Sequence, residues 1–195
     1  MDVSSADVTT ASRQAISAVA LRLFATRGYE QTTVADIAAA AGVSRATVFR
    51  YFRSKDDILF DRYTRQLDHI CRQAALQRGS DVSRARRALV DLAGRLESEG
   101  DAFRLELSII VASDRLRARA FVMMHDWGAV LARELSNGTP DGAFATRVVA
   151  QSAMAALLEA ICMWLAMDPS ASLVALTHEA LRVAGPARAR PSRAG

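Results

Sequence analysis

The sequence predicts an all-α fold. Ala, Leu and Arg are abundant among its 195 residues, while Gly (10) and Pro (4) are sparse, which favours helix. Apolar residues recur at intervals of three and four, and no alternating strand pattern of useful length appears. Each break in that periodicity carries Gly, Pro, Asn or Ser. The length suits one ordinary domain or two small ones, with a core that needs no disulfide staples.

Residues 1–11 show no apolar stripe and are expected to form a flexible N-terminus. A first helix follows over 12–27. Its Ile16, Val19, Ala20, Leu23 and Phe24 fall on one face. Gly28 is its stop signal, with Tyr29 after it. Thr33 then caps a second helix of about two turns, and Asp36 completes a capping-box pattern. Val34, Ile37, Ala38 and Ala41 give that helix an apolar face, and Gly42 ends it. Ser44 caps a third helix that runs through about Phe52. Two short helices joined by a tight Gly turn make a helix-turn-helix. Ser54 caps a fourth helix, to about 77, which places Asp56 and Asp57 in its first turn, where the helix dipole favours acids. Further helices are expected over 81–98, 101–112, 114–136, 141–167 and 172–184. The last ten residues, 186–195, are Pro-rich and basic and read as a disordered tail.

Charge divides the chain in the same places. Residues 1–55 carry seven basic and four acidic groups, and 56–184 carry fifteen and seventeen. A basic N-terminal module over a near-neutral body points to an anionic partner for that module. The domain reading is therefore 12–55 for the helix-turn-helix module and 56–185 for a helical body.

Cys71 and Cys162 lie in apolar helical patterns, too few for a disulfide framework, and are expected to be buried thiols. The N-terminus lacks a charged-then-apolar signal pattern. The stretch 148–167 approaches membrane-spanning length but carries Gln151, Ser152 and Glu159. It reads as a buried helix in a soluble, cytoplasmic protein with no membrane partner. No nucleophile–His–acid set and no metal-spaced His/Cys set is present, so neither enzyme, metal site nor cofactor is expected.

The segment from Ser44 to Lys55 has the chemistry of a reader of double-stranded DNA. Ser44 and Thr47 offer hydroxyls to phosphates. Arg45 can reach a guanine edge with two hydrogen bonds. Arg50, Arg53 and Lys55 can neutralise backbone charge. Val48 and Phe52, four apart, face inward, which leaves Arg45, Thr47, Arg50 and Tyr51 on the other side.

The run LFATRGYE, then TTVADIAAAAGVS, then a T-x-F-x-YF core, then SKDDIL, resembles the N-terminal DNA-binding domain of TetR-family transcriptional regulators over residues 12–59. The resemblance implies a helical homodimer with an N-terminal DNA reader and a C-terminal ligand-sensing body. It places Thr33 at a phosphate grip, Arg45 and Ala46 at base-reading positions, and Thr47 at a phosphate-contacting hydroxyl. Tyr51 and Lys55 match further DNA-facing positions. Phe49 departs from the pattern, which has a Tyr whose hydroxyl meets the backbone. That loss weakens binding by ~1 kcal/mol, the size of one net hydrogen bond.

In the body, Phe103, Leu107, Ile110, Met123, Met124, Trp127, Met154, Leu158 and Trp164 are the candidate lining of a pocket for a small, largely apolar effector. Arg104, Glu106, His125 and Asp126 are the polar candidates to orient it. The stretch LRARAFVMMHDWGAVLA and the tryptophan in CMWLAM are similar to members that sense long acyl chains or acyl-CoA. By position, the last two helices resemble the pair that forms the family's dimer bundle. The function expected is a repressor released from a near-palindromic operator by its effector. The alternatives are an activator or a ligand-independent DNA-binding protein of the same fold, and, more distantly, an enzyme.

Overall fold

The computed structural model describes residues 5–136 and 143–185, except for the side chains of 5–10, 62, 64–69, 71, 75 and 143. Nine α-helices and no strand occur among the described residues. They are α1 (Ser5–Arg27), α2 (Val34–Ala40), α3 (Arg45–Tyr51), α4 (Lys55–Leu76), α5 (Asp81–Ser98), α6 (Asp101–Ala112), α7 (Asp114–Leu135), α8 (Ala143–Ala166) and α9 (Leu173–Ala184). The all-α class is as expected, and most ends fall within two residues of those read from the sequence. The exception is α1, which is helical from Ser5 rather than 12. Residues 5–11 contain no Gly or Pro, and a helix already nucleated gains a hydrogen bond with each residue added backward. The expected tail 186–195 lies outside the described residues.

The helices form two units that do not follow a single cut at residue 55. One comprises the chain up to Leu67 together with Asp101–Ala120. The other comprises Asp68–Gly100 and the chain from Phe121 onward. Helices α4 and α7 thus contribute residues to both.

In the first unit α1 packs on α2 and α6, and α2 on α3. Ile16, Ala20 and Phe24 of α1, Ile37 and Ala38 of α2, Val48 and Phe52 at α3, and Ile58 and Leu59 of α4 are buried. Each large apolar side chain among them stabilises the unit by about 1.5–3 kcal/mol. Phe24 meets Tyr29 edge-on at 5.0 Å.

In the second unit α8 and α9 pack along each other and against α5. On α8, Ala150, Ala153, Met154, Leu157, Ala160, Ile161 and Trp164 are buried at helical spacing. Val148, Ala155, Glu159, Cys162 and Met163 are exposed. The run Phe144–Ala166 is long and apolar enough to cross a membrane, but here one side of it packs on protein. Cys162, expected to be buried, is exposed because it lies one residue beyond Ile161, past the edge of the packed stripe. Cys71 lies outside the described side chains.

Polar side chains fix helix ends in this unit. Arg84 is only 5% exposed. Its guanidinium donates to the carbonyls of Ala74 (3.1 Å), Leu135 (2.8 Å) and Glu134 (3.2 Å). One planar fork thereby satisfies terminal carbonyls of α4 and α7 that have no partner within their own helices. Glu97 accepts from the Val174 amide at 2.7 Å and the Ser172 hydroxyl at 3.1 Å, an acid at the start of α9. Gln151 on α8 donates its amide to the His125 carbonyl at 2.9 Å. A Cβ at Gly128 would lie 2.5 Å from Gln151 Oε1, so glycine here leaves room for the Gln151 amide in this position.

Candidate nucleic-acid interface

Helix α2 begins with both halves of the capping box in place. The Asp36 amide donates to Thr33 Oγ1 at 3.2 Å, and the Thr33 amide donates to Asp36 Oδ2 at 2.8 Å. Thr33 also gives its hydroxyl proton to that carboxylate, at 2.5 Å. It can therefore accept from a partner in this arrangement but has no proton left for a phosphate. The Asp36 carboxyl is held below its usual range, chiefly by the Thr33 hydroxyl.

The turn that follows is a Schellman motif. The Val43 amide reaches Ala38 O at 3.0 Å, and the Gly42 amide reaches Ala39 O at 3.2 Å. Gly42 takes φ +66°, a region open to glycine and strained for most other residues. The chain re-enters helix at Ser44, whose Oγ accepts from the Thr47 amide at 3.0 Å. The hydroxyls of Ser44 and Thr47 lie 2.9 Å apart, so one donates to the other and a single proton of the two remains for an outside acceptor.

Helix α3 is seated by Val48 and Phe52, both buried. Its far end is tied down by Arg13 of α1. That guanidinium donates to the Tyr51 carbonyl at 2.7 Å and to Asp61 Oδ1 at 2.5 Å, and lies 5.1 Å from the Phe52 ring centre. With the inner face fixed, Arg45, Ala46, Phe49, Arg50 and Arg53 are exposed, and Thr47 and Tyr51 are half-buried. Arg50 folds over the Tyr51 ring at 5.0 Å and donates to its hydroxyl at 3.2 Å. The Tyr51 hydroxyl is shifted down, first by its bond with Ser12 and then by Arg50. Arg45 makes no hydrogen bond or ion pair with the described residues, so its fork is unoccupied.

The start of α4 is the most constrained part of the unit. Ser54 accepts from the Asp57 amide at 3.1 Å, the expected cap. Lys55 donates to the Tyr29 carbonyl at 2.6 Å, with its ammonium 4.0 Å from the Tyr29 ring centre. Burial shifts Lys55 down, against the pull of Glu30 and Asp56. The expected phosphate contact is thus anchored to the turn after α1, which leaves two of its three donors.

Asp56 and Asp57 do more than answer the dipole of α4, and here the expectation needs correcting. Asp56 is 5% exposed. It accepts from the Tyr29 hydroxyl and from Arg115 Nε at 3.2 Å, and Arg119 lies 3.5 Å away. Asp57 pairs with Arg119 at 2.5 Å. Burial pushes the Asp56 carboxyl up, but the Tyr29 hydroxyl and the two arginines outweigh it and hold it below the usual range. Burial, then Asp56, pushes the Tyr29 hydroxyl well above its own. Beside this cluster Ser113 donates to Glu30 at 3.0 Å.

All nine expected DNA-facing residues, Thr33, Ser44, Arg45, Ala46, Thr47, Phe49, Arg50, Tyr51 and Lys55, lie in the first unit, and none is buried. Sequence reasoning missed the residues that hold them in place: Arg13, Tyr29, Arg115 and Arg119. The alternating arginines of RLRAR and the lone Tyr after Gly28 were the only signals.

The nine candidate lining residues are divided between the units. Phe103, Leu107 and Ile110 are buried on α6 in the first. Met124, Trp127, Met154 and Trp164 are buried in the second, where Met123 and Leu158 are half-buried. Trp164 is engaged already, since its indole N–H donates to Ala171 O at 2.8 Å. Of the polar candidates only Glu106 is buried, while Arg104 is half-buried and His125 and Asp126 are exposed. A cavity of about 270 Å³ in the second unit is lined by none of the nine; Val82, Ala85, Val148, Ser152 and Leu181 are among its walls.

Three comparisons bear on these features. Residues 16–61 match the family described as bacterial regulatory proteins, tetR family, and residues 82–188 match the MftR C-terminal domain. A Mycobacterium tuberculosis protein, provisionally named the mycofactocin biosynthesis transcriptional regulator MftR, is 32% identical over 179 residues, 87% of each chain. Among solved structures, Thermus thermophilus FadR, a repressor in complex with lauroyl-CoA, is similar with a TM-score of 0.60 and 25% identity, over 94% of this chain and 100% of that one. SmeT, the repressor of a Stenotrophomonas maltophilia multidrug efflux pump, shares the fold with a TM-score of 0.60 and 20% identity, over 90% of this chain and 89% of that one.

Proposed function

The chain belongs to the TetR family of DNA-binding transcriptional regulators, with a body of the MftR C-terminal type, and from that membership we propose that it is an effector-released repressor. One observation carries the reading. Helix α3 presents Arg45, Ala46, Phe49 and Arg50 outward, and no acid occurs between Asp36 and Asp56. Such a face suits a major groove, with Arg45 as the base reader and Lys55 and Arg53 on phosphates.

The repressor acts as a homodimer. The side of α8 that bears Val148, Ala155 and Met163, together with Val183 of α9, is uncovered in a single chain and supports that assembly. Two copies of α3 then reach successive major grooves, roughly 34–36 Å apart, on a near-palindromic operator. The effector is a largely apolar molecule with an acyl chain, an acyl-CoA above all. Support comes from the lauroyl-CoA complex of the Thermus relative and the buried apolar side chains of α8. The regulated genes include those for mycofactocin biosynthesis, as the name of the mycobacterial relative suggests.

An acyl-CoA releases the protein only if it binds the DNA-free arrangement better than the DNA-bound one. The test begins with selection of bound sequences from random duplex DNA by the full chain. Lauroyl-CoA is then titrated into the complex with the selected operator. Release at concentrations where free CoA has no effect supports the reading. A specific operator from which no acyl-CoA of any chain length releases the protein would rule out the effector class. Raised transcription from a reporter in the presence of the protein would rule out repression.

A further inference from the structure

We propose that Phe49 reads a thymine methyl group, so that each operator half-site carries a thymine whose methyl is required for full affinity. The inference rests on the reading of α3 as the major-groove helix and deepens it by naming a base. Phe49 is 48% exposed, although the same helix buries Val48 and the next residue but two, Phe52. It makes no ring contact, and no cation lies over it, among the described residues. The neighbouring aromatics of this unit are all engaged. Tyr51 lies under Arg50, Phe52 under Arg13 and Tyr29 under Lys55. Phe49 is the exposed ring left over, on the face turned away from the core.

Its neighbours decide what it meets. Ala46 is three residues before it and Arg45 four, so the three share one strip of the helix surface. Both neighbours are exposed. Ala46 adds a methyl group and no steric bulk, which lets the ring approach the groove floor. Arg45 carries the charge that draws this strip to DNA. An apolar ring beside a small apolar residue has no hydrogen bond to offer a base edge. The one apolar group that the major groove presents is the thymine C5-methyl. A solvent-exposed ring also gains more by covering a methyl than by facing the polar edge of a G·C pair, where it would leave donors and acceptors without water.

The experiment uses the operator that the full chain selects from random DNA. Each thymine is replaced in turn by deoxyuridine, which keeps the hydrogen-bonding edge and removes only the methyl. Affinities are measured for the natural chain, Phe49→Ala and Phe49→Leu, with thermal unfolding to confirm that each variant folds. At one thymine per half-site, deoxyuridine should weaken the natural chain about fourfold, the worth of one buried methyl-sized group. Phe49→Ala should bind the two operators equally, and Phe49→Leu should retain part of the discrimination. Were Phe49→Ala weaker on every operator but unchanged in its thymine-to-deoxyuridine ratio, the ring would be packing on sugar and the proposal would be overturned. A chain that selects no sequence at all would overturn the regulator reading itself, a distinct failure.

Discussion

Tyr29 donates its phenolic proton to the carboxylate of Asp56 and so joins the turn after α1 to the first turn of α4. The same tyrosine takes Lys55 on its carbonyl and its ring, and the same aspartate takes Arg115 and Arg119 from the start of α7. The first turn of α4, which follows the reader helix, is therefore held from two directions.

Replacing Asp56 by Asn keeps an acceptor for Tyr29 but removes the charge that faces two arginines. Stability at neutral pH should fall by about 1–3 kcal/mol, as for other hydrogen bonds to a buried charged group. The pH dependence has a definite sign. The folded chain holds this carboxyl below its ordinary value, so the unfolded chain binds the proton more readily. Its contribution is complete above the unfolded value of about 4 and is lost as pH falls through the lower folded value. Urea midpoints of the natural chain and Asp56→Asn should thus differ at neutral pH and converge in acid. A gap that stays constant with pH would show that the charge contributes nothing.

Arg45 and Lys55 should separate two kinds of contact. Arg45→Ala should cost about 1–3 kcal/mol on the selected operator and relax preference at one base pair per half-site. Lys55→Ala should weaken all sequences alike and lower the salt dependence by about one unit. Parallel selections and salt titrations read both. If Arg45→Ala selected the same operator as the natural chain, its fork would be on phosphate instead.

Arg84 serves three backbone carbonyls from a buried position, so truncation removes a charged donor from each of them. Arg84→Met should destabilise by roughly 1–3 kcal/mol, the range for buried polar groups left without their hydrogen bond. Arg84→Lys should recover only part of that, because one ammonium cannot span two helix ends. Chemical denaturation of the three proteins decides it, and equal stability of Lys and Arg would refute the bridging role.

Gly128→Ala sets two effects against each other. Alanine favours helix by up to about 1 kcal/mol over glycine. Its Cβ, however, meets the Gln151 amide, which must swing away and give up the His125 carbonyl. The expected result is a small net change in the natural chain but a stabilisation of about 0.5–1 kcal/mol when Gln151→Ala is already present. A thermal double-mutant cycle without coupling would contradict the contact.

Much of this was legible in the sequence because it is local. Thr33 with Asp36, Gly42 with Val43, and Ser44 with Thr47 are separated by one to three residues, and each motif sits where spacing placed it. The inner face of α3 was legible for the same reason, since Val48 and Phe52 are four apart. What spacing cannot supply is which distant residues close on a site. Arg13 and Tyr51 are 38 residues apart, and Arg119 and Asp57 are 62 apart. The two acids at the head of α4 had a sufficient local explanation in the helix dipole, so nothing in the sequence asked for a second. Cys162 was misread for a related reason. On α8 nearly every position is apolar, so composition cannot mark which side is packed.

The chain has two tryptophans, Trp127 and Trp164, and both are buried in the second unit, with none in the first. Trp164 is further tied by its indole N–H to the carbonyl of Ala171, just before α9. The molecule therefore carries its own optical probe on one side only. Indole emission should respond to whatever enters or rearranges the body and remain blind to base substitutions at α3. Effector binding can then be followed in the cuvette without a label.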